Sequence, residues 1–251
     1  MIDRGDRFLT ISVDDGHPTD LRTAGLLARH GLAATFYVPA SNPERAVLPP
    51  AQVRELASRF EIGGHTYHHR PLRGLDRATL QREVTDGKAW TDDLLGHASV
   101  AFCYPQGKFD AAAMIAVRDA GYLGARTCKL NLTRPGPHPF AWGVSTQAYS
   151  HSTRVQLRHA LVEGNLTGAW AFFTVFGATQ DWSVHFARSV AHVERHGGIA
   201  HLYLHSWEID ANDDWAALER TLASAAGRPG LRYVDNGTLF AAFAHAGTSS
   251  P

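Results

Sequence analysis

The sequence predicts an α/β fold, a parallel sheet or barrel with helices outside it. Three observations carry this reading. Strand-like and helix-like segments alternate along most of the 251 residues, as expected of parallel strands joined by helical crossovers. Chemistry-bearing residues recur where apolar strand text ends, in LTISVDDG, IGGHTYHH, AFCYPQG and AHLYLHSW, and in such folds functional groups gather at strand ends. A hydrophobic fraction of 44% supplies one sizeable core, and no repeat or low-complexity linker divides the chain.

Each element follows from its own text. Phe8 to Val13 is a strand. Leu21 to His30 is helical and Gly31 stops it. Ala34 to Val38 is a second strand, and a Pro/Asn loop leads to a helix from about Pro50 to Phe60. Glu61 to Gly64 runs into GGHTYHHRP. A long amphipathic helix spans Arg77 to Leu95, then a strand from Val100 to Tyr104, a helix from Ala111 to Ala120 and a strand from Tyr122 to Thr127. The segment from about 129 to 181 breaks the rhythm and is expected as an insertion or lid, with one or two helices between Val155 and Phe176. The alternation then returns: Ser183 to His196 helical, Gly198 to His205 strand, Trp215 to Ala226 helical, Leu231 to Val234 strand, Gly237 to Ala246 helical. The closing GTSSP is expected to fray.

Composition excludes several classes. Lys+Arg and Asp+Glu are both 24, so the formal net charge is zero and no electrostatic footprint for nucleic acid or an anionic membrane exists. No run of 18 apolar residues occurs. The opening MIDRGDRFLTIS has no apolar signal region, and two cysteines, Cys103 and Cys128, are too few for a disulfide framework. A cytoplasmic protein is the expectation, which makes the sequons at Asn131, Asn165 and Asn236 chance matches. Histidine is abundant, 15 residues, roughly three times a background of about 2%.

Two adjacent carboxylates at the end of a strand, Asp14 and Asp15, raise a physical question. Like charges repel, and burying either is costly unless a cation, a metal or a proton compensates. Both can enter one site only if the chain bends, which Gly16 permits. On the residues alone, an ordinary polar turn capping the strand is the competing reading. His65 and His69 stand at i,i+4, on one side if the segment makes a helical turn. Two histidines with a carboxylate suit Zn²⁺ or another first-row divalent ion with positions left open; His68 points elsewhere. Phe102 to Asp110 is a strand breaking at Pro105 and Gly107, where backbone N–H groups can face an oxyanion. His205 ends a strand on the face of Tyr203 and His201.

Together these stretches resemble the polysaccharide deacetylases of carbohydrate esterase family 4. Ser12 to Gly16 is similar to the family's T-F-D-D-G, His65 to His69 to its H-[ST]-x-x-H, Phe102 to Gly107 to its third motif, and Leu202 to His205 to its L-x-L-H. The resemblance implies a distorted (β/α) barrel of about seven mostly parallel strands. It also implies a metal-dependent hydrolase that removes an N-acetyl or similar N-acyl group from an amino sugar. Asp14 would be the base, and Asp15, His65 and His69 would hold one divalent ion, Zn²⁺ foremost, with Co²⁺ or Ni²⁺ as alternatives. His205 would be the acid, and the Gln106 backbone N–H an oxyanion donor. Three positions depart from the pattern. Cys103 stands where many members have an arginine that steadies the base, and Arg126 is the candidate replacement, with a surface salt bridge as the alternative. Asp181-Trp182 partly matches the fourth motif, so Asp181 is a candidate partner of His205, as is Glu208. Tyr203 replaces the leucine of an acyl pocket. Tyr104 and Trp207 are candidate sugar contacts, Trp207 by stacking or else by packing at the barrel mouth. A soluble N-acylated sugar or glycan precursor is the expected substrate. Hydrolysis of another C–N bond or an O-acetyl ester, and sugar binding without catalysis, remain alternatives.

Overall fold

The computed structural model describes residues 5–247. Among these described residues eight strands, all parallel to their neighbours, form one sheet. They are β1 (Arg7–Asp14), β2 (Thr35–Val38), β3 (Glu61–Gly64), β4 (Ala101–Cys103), β5 (Gly124–Arg126), β6 (Thr146–Gln147), β7 (Gly198–Leu204) and β8 (Arg232–Tyr233). Seven follow the order β5-β4-β3-β2-β1-β7-β6, and β8 pairs with β1 off that path. The helices are α1 (Asp20–Arg29), α2 (Pro50–Ala57), α3 (Arg77–Leu95), α4 (Ala111–Asp119), α5 (Thr153–Val162), α6 (Leu166–Thr174), α7 (Trp182–His196), α8 (Ser206–Ala211), α9 (Trp215–Ala225) and α10 (Asn236–Gly247). Trp142 bridges to Arg126 of β5, so the stretch running from Trp142 into β6 links the two ends of the sheet. The result is a curled half-barrel wrapped by helices, as the sequence predicts.

Strand alternation sets the two sides of this curl. On β1, Leu9, Ile11 and Val13 face outward into the main core, against Leu27 of α1, Phe186 and Val190 of α7, and Leu218 and Leu222 of α9. Each such fully buried side chain is worth about 1.5–3 kcal/mol over an exposed one. The intervening Thr10, Ser12 and Asp14 face inward, where they meet Asn236, His201 and Arg126. The barrel interior is therefore a polar column, with the carboxylate at its upper end. At the opposite end α10 closes the barrel. Asn236 accepts from Thr10 Oγ1 and donates to the Tyr37 hydroxyl, both at 2.8–2.9 Å, and its backbone N–H donates to Thr35.

Helix ends are set by local chemistry. α3 begins where Asp76 accepts from the N–H groups of Ala78 and Thr79, and ends at Gly96 in the left-handed region. The stretch from Val155 to Phe176 resolves into two helices, α5 and α6. The short β6 and the six-residue α8 were not expected from the sequence. Within the 129–181 segment, Trp142 and β6 belong to the sheet, and the α5–α6 pair stands outside it. The sequon asparagines are all buried and hydrogen-bonded: Asn131 with His185, Asn165 with Leu130, and Asn236 as above. Among the described residues no helix is long and apolar enough to cross a membrane. The expected fraying after Gly247 lies outside the described residues.

Candidate active site

The strand ends that the sequence marked converge on one cleft of about 330 Å³ at the C-terminal edge of the sheet. Asp14 is the last residue of β1. Asp15 then turns into the left-handed region (φ 81°), followed by Gly16 (φ 62°). The bend thus begins at Asp15 itself, a residue type that tolerates this conformation. A Cβ at Gly16 would lie 2.6 Å from Val38 Cγ1, so a side chain there would collide with β2. Both carboxylates enter the cleft and both are almost wholly buried.

His65 and His69 do not share a helical turn. The segment after β3 is a loop in which Thr66 and His69 adopt positive φ (63° and 55°), and this folding-back brings both rings onto Asp15. Asp15 Oδ1 lies 3.5 Å from His65 Nε2 and 3.0 Å from His69 Nε2. Two ligands each about 2.0–2.2 Å from one ion at tetrahedral angles stand roughly 3.3–3.6 Å apart; the His65 spacing falls in that range and the His69 spacing just below it, so a slight outward shift of the His69 ring fits this donor set to a divalent cation. His65 Nδ1–H donates to the Cys103 carbonyl at 2.8 Å, which leaves the Nε2 lone pair free for a metal. Burial pushes the pKa of His65 down, in keeping with a neutral ligand. Burial opposes ionisation of Asp15, but the His65 and His69 rings against it and the His205 charge outweigh that and hold the carboxyl well below the usual carboxylate range.

α3 clamps this loop from behind. Tyr67 N–H donates to the Glu83 carbonyl, His68 N–H to Glu83 Oε2 at 3.0 Å, and the His68 ring pairs with the other Glu83 oxygen. Gly87, one turn along, lets the helix touch the loop: a Cβ there would sit 2.8 Å from the carbonyl carbon of Thr66. His68 therefore points away from the ligands, as expected, and works as the clamp's handle.

Asp14 occupies the other side. Oδ1 pairs with the Arg126 guanidinium, and Arg126 is 1% exposed. Oδ2 lies 3.7 Å from Cys103 Sγ and 4.0 Å from His205 Nε2. Arg126 also lies over the Tyr203 ring, 4.7 Å from its centroid. It thus stands beside the carboxylate from the end of β5. His205 Nδ1 lies 2.8 Å from Glu208 Oε2. Burial alone would lower the pKa of His205, but the Glu208 hydrogen bond and the charges of Asp15 and Asp14 push it up to about 9.

Two expected roles are corrected, and a third is narrowed. Asp181 does not reach His205: its carboxylate is held at the start of α7 by the N–H groups of Ser183 and Val184 at 2.8 and 3.2 Å, and Trp182 is core. Glu208 takes the place because α8 starts directly after His205, and i,i+3 positions on a helical turn are neighbours. Tyr104 lies outside the cleft. Alternation turns Phe102 and Tyr104 outward, and Tyr104 stacks on Phe109 and donates to the Phe140 carbonyl at 3.0 Å. Trp207 lines the cleft but is not an open platform. Its N–H donates to Asp15 Oδ2 at 2.8 Å, the Arg45 guanidinium lies 3.5 Å from its ring centroid, and His205 packs beside it.

Gln106 lines the cleft from a turn in which its own φ is 54°, and its side chain is turned aside to accept from Lys108. Tyr203, Leu130 and Cys128 give the cleft an apolar wall. Glu44, Gln147, His159 and Glu163 complete a polar rim, where burial raises the pKa of Glu163 to about 7. Gln147 donates to Glu208 at 3.2 Å and accepts from His151 at 2.9 Å, steadying the partner of His205. No motif in the sequence marks Gln147, Arg45 or Glu83.

Residues 2–125 match the family model for polysaccharide deacetylase. No curated protein matches the chain. Among solved structures, a protein of the polysaccharide deacetylase type from Mycobacterium smegmatis superposes over 100% of this chain and 97% of its own, at 15% identity and a TM-score of 0.65. A family 4 acetyl xylan esterase from Clostridium thermocellum, in complex with a cobalt ion, does so over 94% and 91%, at 16% identity and a TM-score of 0.56. The Streptococcus pyogenes deacetylase PplD, in complex with acetate, is matched over 53% of this chain and 61% of its own length, at 19% identity and a TM-score of 0.47. The first two of these likenesses speak for the fold. With the family model over the first half and the motifs that continue to His205, the chain belongs to the polysaccharide deacetylase family, carbohydrate esterase family 4.

Proposed function

We propose that the protein is a metal-dependent N-deacetylase that releases an acetyl or similarly small acyl group from an amino sugar, free or within a small glycan precursor. The observation that carries this reading is the meeting, in one cleft, of a ligand set with a carboxylate and an imidazole 4.0 Å apart beside it. Asp15 Oδ1 and Nε2 of His65 and His69 would hold one divalent cation, Zn²⁺ foremost, with Co²⁺ or Ni²⁺ as alternatives. When bound, such an ion polarises the acyl carbonyl and acidifies water.

The chain's own groups then divide the proton transfers. Arg126 fixes one oxygen of Asp14 and leaves the other toward the cleft, where it takes the proton of the attacking water as the water oxygen bonds to the acyl carbon. The carbonyl electron pair moves onto oxygen, and the Gln106 backbone N–H donates to that oxygen; one such donor is typically worth about 3 kcal/mol. As the C–N bond breaks, its electron pair goes to nitrogen, which accepts the proton from His205 Nε2. Glu208 keeps His205 charged for this step. The products are a carboxylate and a free amine. Tyr203, Leu130 and Cys128 would enclose the small acyl group, and α5–α6 would act as a lid favouring small sugars over polymers. A 330 Å³ cleft sits at the small end of ligand pockets.

The test is metal content per chain, wild type against His65→Ala, with Zn²⁺, Co²⁺ and Ni²⁺ offered in turn, followed by acetate and amine release from N-acetylated sugars. Metal bound without amine release would leave the site and remove the reaction; free hydroxyl in place of amine would make it an esterase.

A further inference from the structure

α5 and α6 form a helical hairpin joined by Glu163, Gly164 and Asn165. Each helix buries one face against the body, through Gln156 and Ala160 on α5 and Gly168 and Phe172 on α6. The outward side is apolar. Leu161, Val162, Leu166 and Trp170 are 71–75% exposed, and Leu157 and Phe173 are 38% and 50% exposed. Six of the ten exposed large hydrophobic side chains among the described residues lie on this hairpin, so the exposure is one patch rather than scatter. α6, LTGAWAFFT, contains no charged residue.

These six side chains leave on the order of 700 Å² of apolar surface open. That exceeds the roughly 300–600 Å² of the largest patch on an ordinary monomer and approaches the ~800 Å² that each partner gives a standard interface. We propose that this face docks on the same face of a second copy of the chain, the two hairpins packing as four helices about a two-fold axis. Such an interface is self-complementary by construction, and an uncharged centre suits it, with Arg154 and Arg158 of α5 at a polar rim. A membrane surface fits less well: interfacial helices carry a strongly basic polar face, whereas this hairpin sets only Arg154 and Arg158 against Glu163, α6 has no charge, and the formal net charge of the chain is zero. The hairpin also supplies His159 and Glu163 to the cleft, so the second copy would brace one wall of the site from behind.

Sedimentation equilibrium of the full chain up to about 100 µM tests this. The expected result is a wild-type dimer, a monomer for Trp170→Glu and separately for Leu166→Lys, and a retained dimer for Trp170→Phe, all with the wild-type circular-dichroism spectrum. A wild type that stays monomeric to that concentration overturns the proposal, and its co-sedimentation with anionic phospholipid vesicles would assign the patch to a membrane instead. Dimers that persist in both charged variants would also overturn it, by placing the contact elsewhere.

Discussion

The indole N–H of Trp207 donates to Oδ2 of Asp15 at 2.8 Å, while Oδ1 of the same carboxylate faces His65 and His69. One oxygen is thereby tied down and the other is presented to the ligand set. Groups that orient a metal's ligands are typically worth 10–100-fold in affinity. Trp207→Phe, which keeps the ring under Arg45 but removes the donor, is expected to weaken Zn²⁺ and Co²⁺ binding by about 10-fold or more. Competition with a chromophoric chelator reads this directly, without any substrate. Equal affinity in the two proteins would make Trp207 packing alone.

His205 and Glu208 give a pH prediction. The raised pKa of about 9 keeps His205 protonated through neutrality, so turnover limited by the acid falls as pH rises through that value. A cation on Asp15 cancels part of the charge that raises it, and brings the fall to lower pH. Glu208→Gln removes the hydrogen-bonding carboxylate, so the alkaline limb of kcat should move down by about one unit or more. His205→Ala should lose at least about 100-fold in turnover and keep its metal. A limb unmoved in Glu208→Gln would assign it to another group.

Arg126 and Asp14 are buried together, 1% and 2% exposed. Removing one charge strands the other, a change that typically costs about 3–5 kcal/mol. Arg126→Met should therefore lower the melting temperature strongly, Asp14→Asn less, and the double variant should recover part of the loss. Thermal melts of the four proteins form the cycle, and simple additivity would show that the two side chains do not couple.

Why some of this was legible in the sequence and some not follows from distance along the chain. β1 announces itself by β-branched text, and its alternation alone sends Asp14 inward and Val13 outward. α3 carries both of its end signals, Asp76 and Gly96, next to its own text. Asp15, His65 and His69 were legible as candidate ligands, but the way they meet was not: two left-handed residues, not a helical turn, bring the histidines together. For Trp207 the sequence left stacking and packing both open, because its partner Arg45 comes from a loop more than a hundred residues earlier. Asp181 was misread because the helix that starts at the next residue claims its Oδ1. Gln147 lies on a two-residue strand that exists only because β7 pairs with it.

Glu61 carries a prediction remote from the cleft. It opens β3 at the far end of the sheet, where Oε2 accepts from Thr35 Oγ1 and from the Gly237 N–H at 2.9 Å. Burial, with the Asp235 charge beside it, raises its pKa to about 7 against 4.5 for the free side chain. Between these values the folded state holds a proton that the unfolded chain has released, so stability falls as pH rises from about 4.5 to about 7. A full shift of this size corresponds to about 3 kcal/mol, and partial exposure of the side chain trims that to about 1–2 kcal/mol. Glu61→Gln keeps an acceptor for both donors and cannot ionise. Urea unfolding at pH 5 and pH 8 should show the variant gaining about 1–2 kcal/mol on the wild type at the higher pH; a constant difference between the two proteins would mean that Glu61 ionises normally in the fold.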